Sequence, residues 1–150
     1  MKTIDAILQS AEQHCSKRGT RLTPKRKQML SGLVASKKAV SAYELIDYCK
    51  EHYGSEMPAM SVYRILDFLV EERLVHRLKL ANKYVACSHI TCDHAHEAPQ
   101  FLICGECHRV EEVAISKSTM SELELAVKDV GFQMVGSQLE MNCVCDSCAS

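Results

Sequence analysis

PAMSVYRILDFLVEERLVHRLKLANKYVAC, residues 58–87, changes its apolar period halfway along, and that change decides the fold. In the first half, Val62, Ile65, Leu66, Leu69 and Val70 recur at helical spacing and share one face of a helix starting near Pro58. Tyr63, Arg64, Asp67 and Glu71 take the opposite face. In the second half the period drops to two: Leu74, His76, Leu78 and Leu80 fall on one side, Val75, Arg77 and Lys79 on the other. Ala81-Asn82 makes a turn, and Lys83 to Cys87 returns as a second strand. A helix feeding directly into a basic-edged β-hairpin is the closing half of a winged helix-turn-helix.

The opening half lies upstream. Ile4, Ile7, Leu8 and Ala11 predict a first helix, stopped at Gly19. Thr23-Pro24 supplies an N-cap and a first-turn proline for a second helix carrying Met29, Leu30, Leu33 and Val34. Ser41, with Glu44 three residues on, is a capping box that opens a third helix through Leu45, Ile46 and Cys49. Beyond Cys87 the chain changes character. Phe101–Cys104 and Val110–Val113 predict strands around a tight turn, Met120, Leu123, Val127 and Val130 a helix that Gly131 ends, and 132–143 a last strand. The expected fold is α+β: a winged-helix domain over 1–82, a hinge at 83–86 and a small α+β domain over 87–150.

Charge divides the same way. Residues 1–80 hold 14 Lys and Arg against 9 Asp and Glu, whereas 81–150 hold 4 against 10, so a basic half is joined to an acidic one. That asymmetry suits two domains with different partners. The N-terminus has no unbroken apolar run and no later stretch is long enough to span a bilayer, so a cytoplasmic location is expected. Thiols stay reduced there, and nine cysteines then argue for metal ligation over disulfides. Cys15, Cys49 and Cys143 stand outside ligand spacing and read as small hydrophobes.

Cys104-Gly-Glu-Cys107 and Cys145-Asp-Ser-Cys148 are two CxxC pairs. Each turn offers two thiolates to one ion without backbone strain, and together they complete a sulfur tetrahedron of the structural zinc kind. A redox CxxC would open a helix after a strand in a βαβ unit, which this chain lacks. A second set remains: His76 on the hairpin, Cys87 at its end, His94 and His96 in the following loop, and Glu111-Glu112 beyond the knuckle. Mixed nitrogen, sulfur and oxygen donors suit zinc, held less tightly than by four thiolates. The arrangement is that of a sensor beside a staple, two zinc ions per chain. HAHEAPQFLICGEC superficially resembles a zinc deaminase signature, but Ala95 stands where His must precede Glu97 and Pro99 does not precede a CxxC. No enzyme activity is expected.

RLTPKR at 21–26, SAYELID at 41–47, SVYRILDFL at 61–69, the hairpin ending in Cys87 and the two CxxC pairs, in that order, resemble the ferric uptake regulator (Fur) family of metal-dependent repressors. The resemblance spans nearly the whole chain and is strongest to the zinc uptake regulator (Zur) branch. It implies a zinc-loaded homodimer that sits on double-stranded operator DNA and represses zinc-uptake genes. It implies no membrane partner and no small-molecule substrate. By position it places structural zinc on Cys104, Cys107, Cys145 and Cys148. Regulatory zinc falls on His76, Cys87, His96 and Glu112, with His94 and Glu111 as alternatives. An iron- or peroxide-sensing member of the same family is the rival reading, and Cys87 speaks against it because thiolate is a soft ligand.

The helix from Pro58 is then the recognition helix, whose N-terminal residues enter the major groove. Ser61, Tyr63 and Arg64 face DNA on that reading. Arg64 can pair bidentately with guanine, and Tyr63 can meet a thymine methyl or a phosphate. Arg21, Lys25, Arg26, Lys27, Arg77 and Lys79 are the candidates for phosphate contacts.

Overall fold

Hydroxyl caps set where the first helices begin. In the computed structural model, which describes residues 3–36, 38–87, 90, 99–135 and 138–150, α1 (Ile4–Lys17), α2 (Pro24–Ala35) and α3 (Ala42–Tyr53) each start on one. The side chains of Thr3, Thr23 and Ser41 accept from the backbone N–H of Ala6, Arg26 and Glu44. The capping box at Ser41 is half made, because Glu44 reaches Lys83 Nζ at 3.5 Å instead of its own cap. Pro58 precedes α4 (Ala59–Glu71) and offers no side-chain cap, so this helix relies on proline's preset φ of −62°. Gly54 closes α3 in the left-handed region at φ 62° and turns the chain toward α4.

The apolar stripes of these helices meet in one core. Cys15, Met29, Leu30, Leu33, Leu45, Cys49, Val62, Leu66 and Leu69 are all buried. Gly32 lets α2 approach α3: a Cβ there would stand 2.8 Å from Cδ1 of Tyr48. The hairpin follows as β1 (Val75–Leu78) and β2 (Lys83–Ala86), antiparallel with His76 opposite Val85. Val40 joins its edge, exchanging two backbone hydrogen bonds with Tyr84 at 2.9 and 2.7 Å. The strict alternation expected from Leu74 to Leu80 breaks. Leu74, Val75 and Leu78 are all buried, while Leu80 is exposed in the turn. The strand covers the helical core at its start and leaves it at the tip, so burial follows distance from the core as well as pleat.

The chain divides into compact units at Met1–Cys92 and Asp93–Ser150. Residues 83–86, expected both within the return strand and as the hinge, are a strand of the first unit paired with β1. The second unit holds β3 (Pro99–Cys104), β4 (Val110–Ala114), α5 (Lys117–Asp129), β5 (Leu139–Cys143) and the short α6 (Asp146–Ala149). Its sheet order is β4-β3-β5, antiparallel between β3 and β4 and parallel between β3 and β5. The strand expected over 132–143 is regular only from Leu139, where its residues begin to pair with β3. Among the described residues the core here is slight: Phe101, Ile103, Cys104 and Ile115 are buried, and α5 buries none of its residues. Phe132 and Val135 are 71% and 95% exposed. No described helix is long and apolar enough to cross a membrane.

Candidate metal centres and basic face

Strand register brings the two CxxC pairs together. The parallel pairing sets Cys143 opposite Cys104, and Gly105 N–H donates to the Cys143 carbonyl at 3.0 Å. Two residues later Cys145 is the N-cap residue of α6, whose single turn carries Cys148. The first pair sits on a knuckle: Cys104 N–H donates to the Arg109 carbonyl at 2.9 Å and His108 N–H to the Cys104 carbonyl at 3.0 Å, with His108 at φ 63°. The sulfurs of Cys104, Cys107, Cys145 and Cys148 all lie within 4.8 Å of one another. Cys107 and Cys145 Sγ are 3.8 Å apart, and a tetrahedron with zinc–sulfur bonds of about 2.3 Å has edges of about 3.8 Å. The donor set and its spacing therefore fit zinc.

Cys104 and Cys148 are shifted in opposite directions. Backbone N–H groups of Cys107, Cys145 and Glu106 point at Cys104 and lower its pKa to about 6. The Cys145 N–H lies 3.4 Å from Cys104 Sγ. Cys148 is pushed up to about 12, first by its hydrogen bond with Cys145, then by desolvation and by the neighbouring sulfurs. Four thiolates this close need a cation, and without one the cluster keeps protons on Cys148. Cys15 and Cys49, by contrast, are raised chiefly by desolvation and are buried in the core, as small hydrophobes should be.

A second pair of donors forms at the base of the hairpin. Cys87 follows β2 directly, its N–H donating to the Leu74 carbonyl at 2.9 Å, which fixes the buried thiol beside β1. An imidazole nitrogen of His76 and Cys87 Sγ lie within 4.8 Å of each other, close enough to share an ion. Within the second unit, period two separates the adjacent carboxylates. Glu112, opposite Phe101, is half-buried, whereas Glu111 faces solvent with Arg109 Nε at 3.7 Å. His94 and His96 lie outside the described residues, as do His89 and Cys92.

Residues 17–142 match the ferric uptake regulator family. The chain belongs to that family. The zinc uptake regulation protein of Escherichia coli strain K12 is 34% identical over 146 residues, 97% of this chain and 83% of that protein. A solved zinc uptake regulator complexed with zinc and DNA has a TM-score of 0.84 at 30% identity, covering 99% of this chain and 97% of that one. The holo form of the regulator XcZur has a TM-score of 0.78 at 37% identity, covering 97% and 98%.

For a family member, the surface of the first unit falls into two groups. Tyr63, Arg64, Arg21, Lys25, Arg77 and Lys79 are exposed, Ser61 half so, and no acidic residue occupies the first turn of α4. Arg26, expected among the phosphate ligands, is engaged within the fold. Its guanidinium lies 3.7 Å over the Phe68 ring and donates to the Arg21 carbonyl at 2.7 Å, so it clamps α2 to α4. Lys27 pairs with Glu12 at 2.9 Å. Sequence reading passed over Met60 and Tyr43, 68% and 66% exposed in the first turns of α4 and α3. Their offset from the buried stripes is the signal that reveals them. It also passed over Glu72, a buried carboxylate that takes Arg18 Nε at 2.8 Å and ties α1 to the end of α4.

Proposed function

We propose that this chain is a zinc-responsive transcriptional repressor that binds operator DNA as a zinc-loaded homodimer and represses zinc-uptake genes. The observation that carries the reading is the approach of His76 to Cys87 at the base of the hairpin: a borderline donor and a soft one, in the DNA-reading half, near enough to hold one ion. A thiolate in that position favours zinc over iron, and the relatives reported above at 30% identity or more are zinc uptake regulators. His96 and Glu112 complete the set on this reading, with His94 and Glu111 as alternatives. The half-burial of Glu112 supports it over Glu111.

Cys104, Cys107, Cys145 and Cys148 hold the structural ion, which supplies the cross-link that a unit with so small a core needs. Exposed apolar side chains, Leu125, Val130, Phe132 and Val135, favour the second unit as the dimer-forming half. The first unit is the reading head: Arg64 takes guanine, Ser61 and Tyr63 flank it, and Arg21, Lys25, Arg77 and Lys79 position the backbone. Zinc in the second site would couple metal occupancy to operator affinity. A hundredfold gain in operator affinity needs about 2.7 kcal/mol of such coupling. The functional reading is that of a regulator and not of an enzyme.

The test is operator binding by the full chain, on duplexes selected in vitro, titrated against free zinc and free iron(II). Binding that rises with zinc, at two zinc ions per chain, supports the repressor. A response to iron at lower free metal than zinc turns the reading to an iron sensor, and failure to enrich any duplex removes DNA binding altogether. Arg64→Ala should cut operator affinity by about 5- to 150-fold, the worth of one bidentate base contact, with zinc content unchanged.

A further inference from the structure

We propose that Met60 reads the 5-methyl group of a thymine in each operator half-site, a proposal that rests on the DNA-binding reading above. Two methionines flank the entry to α4 and meet opposite fates. Met57 is buried in the core at 6% exposure, whereas Met60 stands 68% exposed in the first turn. The helix gains nothing by burying Met60, because its core face is already filled by Val62, Leu66 and Leu69, all fully buried. Met60, Tyr63, Arg64 and Asp67 instead follow one another at i, i+3, i+4 and i+7, a single outward stripe.

Chemistry narrows what an apolar residue on that stripe can meet. In helix-turn-helix docking the N-terminal residues of the recognition helix are the ones that reach base edges. A thioether makes no useful bond to phosphate, and the distinctive apolar feature of a major-groove base edge is the thymine methyl. Methionine's unbranched chain can follow that methyl with little strain. Arg64 one turn away takes a guanine, so the pair would read a thymine and a guanine close together. No acidic side chain in the first turn of α4 opposes the approach of DNA.

The experiment uses the zinc-loaded full chain and the duplex it selects in vitro, with each thymine replaced in turn by deoxyuridine, which lacks only the methyl. The wild type should lose roughly fourfold in affinity per half-site at one thymine, the worth of one buried methyl. Met60→Ala should bind the thymine and deoxyuridine duplexes equally, and Met60→Leu should keep the difference. Equal zinc content in all variants shows that they are folded. Sensitivity that survives Met60→Ala and vanishes in Tyr63→Ala hands the contact to Tyr63 and overturns the proposal, as does a wild type indifferent to every methyl. If no duplex is enriched at all, the repressor reading itself fails, and this inference with it.

Discussion

At the scale of single residues, protonation separates Cys104 from Cys148 in the C-terminal cluster. Cys104, at about 6, is a thiolate at neutral pH, and Cys148, at about 12, is a thiol. Zinc uptake must displace the Cys148 proton, so apparent affinity should rise about tenfold or more per pH unit around neutrality. Below pH 6 the Cys104 proton must be displaced as well, and the dependence should steepen. A competition titration with a chromophoric chelator between pH 5.5 and 8 checks both slopes, and a flat profile would remove the thiol assignment. The spacing of these cysteines was legible in the sequence because CxxC is a local signature. The adjacent carboxylates Glu111 and Glu112 were not separable there, since only the pleat and the register against Phe101 put them on opposite faces. Arg26 reads in the sequence as a phosphate contact, and its engagement within the fold is hidden there because the aromatic ring it lies over comes from α4, 42 positions along the chain.

At the scale of elements, local signals gave the helices their starts, and tertiary contacts decided the rest. Thr23 and Ser41 cap as the sequence predicts, and Thr3 caps α1 in the same way, because an N-cap needs only its own next three residues. The hairpin's burial was misjudged because alternation describes a strand with one solvated face, and this strand meets a helical core obliquely. The contact of α2 with α3 makes a quantitative test. Helix propensity alone says that Gly32→Ala gains about 1 kcal/mol. The new methyl, however, would stand 2.8 Å from Cδ1 of Tyr48, whose ring is stacked on His52 at 4.0 Å, and 3.2 Å from Cδ2 of Leu45. Overpacking costs typically 1–3 kcal/mol, so the variant should be less stable by about 1 kcal/mol, read from the urea midpoint. A midpoint that rises would mean that α3 yields more easily than its packing suggests.

At the scale of the whole molecule, the two units divide the labour and respond differently to metal loss. Cys148→Ser should release the structural ion and unfold the second unit, whose core among the described residues is Phe101, Ile103, Cys104 and Ile115. Amide exchange should then be fast across β3, β4 and β5 while the helices of the first unit stay protected. His76→Ala should leave that protection intact and lower the zinc count from two to one. The helical half and the hairpin with its return strand were legible in the sequence from the change of period, because Lys83 to Cys87 follows a turn and pairs locally with β1. The central claim is that an ion gripped by His76 and Cys87 is coupled to DNA. The most direct measurement is the zinc affinity of that second site with and without saturating operator duplex. Linkage requires that operator tighten zinc by the same factor by which zinc tightens operator, about a hundredfold for the coupling given above. An affinity that does not move when DNA is added would contradict the account.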